Sequence, residues 1–234
     1  MINPFGLKDG KLVTVQNVER GLACGCVCPA CKEPLEAHKG NNKIHYFKHY
    51  NGSDCGYGLE TGAHLYAKSV IENEKILLLP SLIAPPNWDC LEYLKTQYKD
   101  AAPYPHDIMF KELVPAWYKL KMDKVLLEQR IGKFVPDVIV IAKGKELLVE
   151  IKVTHGVGEQ KEEFARENQL AMVEYDFSKL KDSFDKELLK HVLTVSYKGA
   201  TRGKGLGRWV YHPKLAKARA EVTFKMEQYY PEIK

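Results

Sequence analysis

Three apolar runs in the middle of the chain set its pattern. "LKMDKVLLEQR", "FVPDVIVIA" and "ELLVEIKVTH" lie between residues 120 and 155 and are separated by tight turns. Short apolar runs bounded by turn residues predict strands. Upstream, "LETGAHLYAKSVIEN" keeps Ala63, Tyr66, Ala67, Val70 and Ile71 at helical spacing. Downstream, a polar helix over residues 158–169 and the apolar "LAMVEYDF" complete the set, giving the order helix, three strands, helix, strand. The segment "LPSLIAPPNWDC" carries three prolines and is expected as loop or edge strand. A helix is expected over residues 179–193, followed by a stretch rich in Gly, Lys and Arg.

The turns fix where charge falls. If Lys143 and Gly144 form a two-residue hairpin loop, Ala142 pairs with Lys145, and counting back places Asp137 opposite Glu150. Lys152 shares the face of Glu150, together with Ile139, Ile141 and Leu148; Val138, Val140, Leu147, Val149 and Ile151 share the other. Both faces are apolar, so this is an interior hairpin with acids at its mouth. If Gly132 and Lys133 make the preceding turn, Ile131 pairs with Phe134 and Glu128 lands opposite Asp137. Directly opposed like charges destabilise a sheet, so a row of three carboxylates calls for cations. A hard divalent ion such as Mg²⁺ suits carboxylate oxygens, and Lys152 is placed to orient or help deprotonate an attacking water. Removing one clustered acid, as in Asp137→Asn, is expected to relieve repulsion and raise the melting temperature. Glu60, His64 and Lys68 recur every four residues and form one polar stripe on the first helix.

The N-terminal zone has different chemistry. Cys24, Cys26, Cys28 and Cys31 fall within eight residues, with His38, His45, His49 and Cys55 downstream. The Cys-Pro-Ala-Cys stretch at residues 28–31 has zinc-knuckle spacing, and two further ligands are expected from downstream. Cys24 and Cys26 are surplus for one tetrahedral ion. Cys90 is expected as a small buried hydrophobe.

"PD" at Pro136–Asp137 followed by "EIK" at Glu150–Lys152 resembles the PD-(D/E)xK nuclease superfamily. The ordered set "CPAC", "HYFKH", "ETGAH", "VPDVIVI" and "VEIKVTH" resembles, within it, the competence-protein CoiA-like nucleases, over about residues 24–178. The resemblance implies an α/β (α+β) fold: a restriction-endonuclease-like αβββαβ core with a mixed sheet, plus a small zinc-ribbon-like module. Composition and pattern divide the chain into a module over residues 1–58, a core over 59–178 with a loop-rich insertion at 79–118, and a basic helical or loop extension over 179–234 that the resemblance does not reach. By position, Asp137 and Glu150 would be ligands of Mg²⁺ or Mn²⁺, with Ile151 beside the ion, and Lys152 would place the water. Glu60 would be the acid of the first helix, His155 matches a histidine after the lysine, and Glu128 an acid ahead of the PD motif; His64 joins this set from the same helix. The zinc ligands would be Cys28, Cys31, His49 and Cys55, with His45, Cys24 and Cys26 as alternates. The implied activity is metal-dependent hydrolysis of phosphodiester bonds in single- or double-stranded DNA, with a homodimer suited to two-strand cutting. The rival is a non-catalytic, zinc-containing nucleic-acid-binding protein that keeps the fold.

Charge distribution adds one point. From residue 177 onward there are 13 Lys and Arg against 6 Asp and Glu, in a chain of formal charge +5. That basic tail suits a polyanionic partner as well as it suits a solvated surface. No apolar window reaches transmembrane length and the N-terminus lacks a signal-peptide core, so a cytoplasmic protein with reduced cysteines and no membrane partner is expected.

Overall fold

The computed structural model describes residues 3–52, 55–87, 90, 92, 110–116, 118–154, 156–178, 185–195 and 207–230. The elements are β1 (Phe5–Lys8), β2 (Lys11–Thr14), β3 (Leu35–His38), β4 (Tyr46–His49), α1 (Gly58–Glu74), β5 (Ile76–Leu78) and β6 (Leu82–Ala84). They continue with β7 (Lys111–Val114), β8 (Lys119–Lys121), β9 (Lys124–Leu127), β10 (Val138–Ala142), β11 (Lys145–Lys152), α2 (Glu159–Glu167), β12 (Ala171–Asp176), α3 (Lys186–Thr194), β13 (Gly207–Tyr211) and α4 (Leu215–Tyr229). Among the described residues no helix is long and apolar enough to cross a membrane.

The mixed α/β architecture grows from the β10–β11 hairpin. β-branched residues dominate "VIVIA", which favours an extended chain packed on both sides. Lys143 and Gly144 both take positive φ, 50° and 71°, as a two-residue primed turn requires. Ala142 therefore pairs with Lys145 and Val138 with Val149. β9 adds antiparallel to β10, and Ile131 pairs with Phe134 around Gly132 and Lys133. β12 adds parallel to β11 after the α2 crossover, giving the sheet order β13-β12-β11-β10-β9.

Each face of this sheet is dry. Val138, Val140, Leu147, Val149, Ile151, Val173 and Tyr175 pack with Ala63, Ala67 and Ile71 of α1 and Leu189, Val192 and Leu193 of α3. On the opposite face Ile139, Leu148 and Met172 pack with Ala165 of α2. Asp185 starts α3 by accepting from the Glu187 and Leu188 amides, which satisfies two otherwise orphaned donors.

Three expectations from the sequence change. "LKMDKVLLEQR" is two strands, because Met122 donates its amide to Lys75 O, and Asp123 donates its own to Ile141 O while its side chain accepts from the Lys143 amide. β8 consequently leaves to pair with β5, and β9 alone joins the central sheet. The 79–118 region is also more regular than a loop, since β6 pairs with β7 on either side of the segment beyond the described residues. The basic extension is no appendage: β13 is the fifth strand of the sheet, held by the Trp209 indole N–H on Pro80 O at 2.9 Å. Of the helix expected over 179–193, residues 179–184 lie outside the described residues.

The N-terminal zone has its own small core of Val15, Val18, Cys24, Cys26, Cys28, Leu35, Ala37 and Phe47. It is nevertheless joined to the main core through Phe5, which is fully buried against α1. Gly62 makes that junction possible: a Cβ there would stand 2.6 Å from Phe5 Cβ. Gly62→Ala gains about 1 kcal/mol of helix propensity but meets an overpacking cost of about 1–3 kcal/mol. The zinc-loaded variant should melt lower than the parent by circular dichroism; an equal or higher melting temperature would show that Phe5 yields freely.

Candidate metal centre and acidic cleft

The Cys/His cluster is built by two turns and one helix start. Cys28 and Cys31 flank a turn in which Lys32 N–H donates to Cys28 O at 3.1 Å. His49 ends β4, and Cys55 precedes α1. The ligand atoms of Cys28, Cys31, His49 and Cys55 all lie within 4.8 Å of one another. Cys28 Sγ is 3.7 Å from Cys55 Sγ, and Cys31 Sγ is 3.2 Å from His49 Nε2. Three sulfurs and one imidazole gathered so can bind a metal ion such as zinc. Burial pushes the Cys28 thiol up to about 11, with the Cys31 and Cys55 sulfurs adding to the rise; a bound cation would reverse that preference.

The alternates do not join this group. Cys24 and Cys26 lie in the small core, where Cys24 Sγ donates to Leu35 O at 3.2 Å and Cys26 Sγ to Cys24 O at 3.4 Å. Burial pushes the Cys26 thiol up to about 12, with Cys24 contributing. His45 Nε2 instead lies 3.2 Å from Gly40 O. Cys90 is buried, as expected of a small hydrophobe.

At the far end of the β10–β11 hairpin the register carries acids onto successive strands. Extending the pairs Val138–Val149 and Val138–Leu127 by one residue sets Asp137 between Glu150 and Glu128. Parallel pairing of β11 with β12 then sets Glu150 beside Glu174, and antiparallel pairing of β12 with β13 sets Glu174 beside Arg208. Asp137, Glu150, Lys152, Glu60 and His64 line one cleft of about 280 Å³, with Ile151, Gly156, Val157, Lys161 and Glu174 completing its wall.

Side-chain cations answer most of this charge. Lys68 Nζ is 2.9 Å from both Asp137 Oδ1 and Glu128 Oε1. Lys161 Nζ is 2.7 Å from Glu150 Oε2, Lys152 Nζ 2.7 Å from Asp176 Oδ2, and Arg208 Nε 2.8 Å from Glu174 Oε1. His64 Nδ1 approaches Asp137 Oδ1 at 3.7 Å, and the Ile151 amide donates to Asp137 Oδ2 at 2.8 Å. Glu60 accepts from the Thr154 hydroxyl. One atom is left over: Glu150 Oε1 is buried with no hydrogen-bond partner.

The row of three carboxylates thus holds as a register but does not converge on one point. Glu128 adopts φ 50° and turns its side chain, 63 % exposed, toward Lys68. Among the described residues only the Cys/His cluster brings three or more such ligands together. His155 lies outside the described residues. Lys161, Glu174, Asp176 and Arg208 escaped the sequence reading. Glu174 carried one signal, an acid set among the apolar Met172, Val173 and Tyr175.

The two opposed acids differ electrostatically. Burial disfavours the charge of Asp137, but His64, Lys68 and the Ile151 amide outweigh it and hold the carboxyl well below its usual range. For Glu150 burial dominates over Lys161, and the nearby Asp137 adds to it, so its carboxyl is pushed up. The stability change expected on removing Asp137 therefore reverses sign, and the relief moves to Glu150.

Comparison of the chain with protein families, with curated proteins and with solved structures finds no match.

Two outcomes are expected. Purified protein should carry about one zinc per chain by elemental analysis; Cys31→Ser should lose it and melt more than ~10 °C lower, because binding energy at such a site is folding energy. Cys24→Ala should keep the metal, and a metal-free Cys24→Ala would move the ligand set. At the acidic end, with divalent ions other than zinc left out of the buffer, Asp137→Asn should melt lower than the parent at pH 7. That deficit should begin to shrink once pH falls below the ordinary carboxyl value of 3.8, because the unfolded chain then takes up a proton that the native carboxyl still refuses. Glu150→Gln should melt a few degrees higher at pH 7, with the gain vanishing below about pH 4.5, where Glu150 is protonated in both states. Melts across pH 3–8 check both signs.

Proposed function

We propose that this chain is a divalent-metal-dependent nuclease of PD-(D/E)xK type, acting on DNA, with a structural zinc site in its N-terminal module. The observation that carries the reading is Glu150 Oε1, a buried carboxylate oxygen with no partner, on a cleft wall shared with Asp137. An unsatisfied buried acceptor of this kind costs about 1–3 kcal/mol and is what a site for a cation would leave. Asp137 and Glu150 fit a Mg²⁺ or Mn²⁺ ion, which needs only one or two protein carboxylates when waters and substrate phosphates complete its shell. Bound there, the ion would supply Lewis acidity toward a phosphate oxygen and a water.

The protein's own groups take distinct parts. Hydrogen bonding to Asp176 raises the pKa of Lys152, so its amine stays protonated. An ammonium cannot accept a proton; Lys152 therefore orients the attacking water and stabilises the negative charge of the transition state. Lys161 holds one oxygen of Glu150 and leaves the other available. Glu60, bound to Thr154, fixes the segment that follows Lys152. Gly156 lets that segment pass close over Glu174, since a Cβ there would stand 2.8 Å from Glu174 Oε2. The basic extension and the exposed Tyr50 and Tyr57, next in sequence to His49 and close behind Cys55, offer surfaces for the DNA strand.

One observation favours the rival reading, a non-catalytic nucleic-acid-binding protein: Asp137, Glu150, Glu174 and Asp176 each already have a side-chain cation. An assay on plasmid, linear duplex and single strands, with Mg²⁺, Mn²⁺ or EDTA, separates the two. Cleavage is expected with the divalent ions and not with EDTA, and Lys152→Ala and Asp137→Asn should each lose about 100-fold or more. Binding of DNA without metal-dependent cleavage of any substrate would leave the rival.

A further inference from the structure

Lys68 is unusual on its own helix. It is 7 % exposed, its neighbours Ala67 and Ile71 are core residues, and its ammonium reaches the acidic end of the sheet. The Nζ atom makes two contacts of 2.9 Å, one to buried Asp137 and one to exposed Glu128. A buried ammonium persists where paired charges outweigh its desolvation. Across the cleft wall, Glu150 contributes a buried oxygen with no partner. The site therefore holds one acid already satisfied by a resident cation and one acid with a spare acceptor.

We propose that Lys68 is a stand-in cation: it occupies Asp137 when no divalent ion is bound and must release Oδ1 for one to bind, so it sets the metal affinity of the cleft. Glu128 gives the ammonium somewhere to go, since it lies on the solvent side of the same contact. This rests on the nuclease reading for the metal site itself, but it concerns binding and needs no cleavage to be observed. The physical basis is competition between like charges. A divalent ion entering beside Asp137 meets an ammonium already within hydrogen-bond distance, and removing that ammonium removes both a competitor and a repulsion. A purely structural Lys68 would predict the reverse, with the carboxylates disordered and the metal bound no better.

The test is Mn²⁺ binding to the zinc-loaded full chain, measured by calorimetry for the parent, Lys68→Met and Lys68→Gln, with Asp137→Asn as the control for the site. The proposal expects Mn²⁺ to bind the Lys68 variants at least ~10-fold more tightly and to raise their melting temperatures more than it raises that of the parent. Should neither variant fold, acetic anhydride labelling of the parent replaces them: saturating Mn²⁺ should raise acetylation of Lys68 several-fold, read by peptide mass analysis. Parent-like or weaker Mn²⁺ binding by a folded Lys68 variant, or labelling unchanged by Mn²⁺ in the second arm, overturns the proposal while leaving the nuclease reading intact. If neither the parent nor any Lys68 variant binds Mn²⁺, both fall together.

Discussion

A sheet buried on both faces has no wet side on which to place charge, and that constraint organises everything else in this chain. The β10–β11 hairpin is apolar toward α1 and α3 and apolar toward α2. Polar side chains on these strands can survive only at the ends, where the helices stop covering them. At one end the hairpin turn meets solvent. At the other, Asp137, Glu150 and Glu174 are drawn onto adjacent strands, the two glutamates buried. The cleft is therefore a consequence of the way the core is closed.

Charge placed there must be answered, and cations arrive from four separate elements: Lys68 from α1, Lys152 from β11 itself, Lys161 from α2 and Arg208 from β13. The same end of the sheet is consequently where the helices and the C-terminal strand are tied together. Of these four pairs Lys68 with Asp137 is the one covered on both sides, and truncating either partner there leaves a desolvated charge behind. The partnerless oxygen of Glu150 is the one place where that compensation is incomplete.

How much was legible follows from which contacts are local. The hairpin turns are two residues long, and a turn of fixed length fixes register, so the opposition of Glu128, Asp137 and Glu150 could be counted from the sequence. In the cluster that could hold a metal ion, Cys28 and Cys31 share a turn, and His49 and Cys55 lie close behind. Glu174 could not be placed, because a parallel strand reached through a helical crossover has no turn to set its register. Nor could Arg208, whose strand follows a long Gly-rich stretch and carries no alternating pattern. The convergence of acids was overestimated for a related reason: register says which residues are neighbours, not where a side chain such as Glu128 turns once its backbone enters the left-handed region.

The strand β13 has a consequence for how the protein is made. Glu174 is only 2 % exposed, and its guanidinium partner lies 34 residues later in the chain. A chain emerging from the ribosome can form the hairpin, α1 and α2 early, since these are ordered by the sequence already synthesised. The acidic end is completed last: before Arg208 arrives, Glu174 Oε2 has the Val157 amide but Oε1 lacks its guanidinium. Until residue 208 has been translated and has folded back alongside β12, the nascent protein holds its N-terminal zone and most of its core around an unfinished cleft.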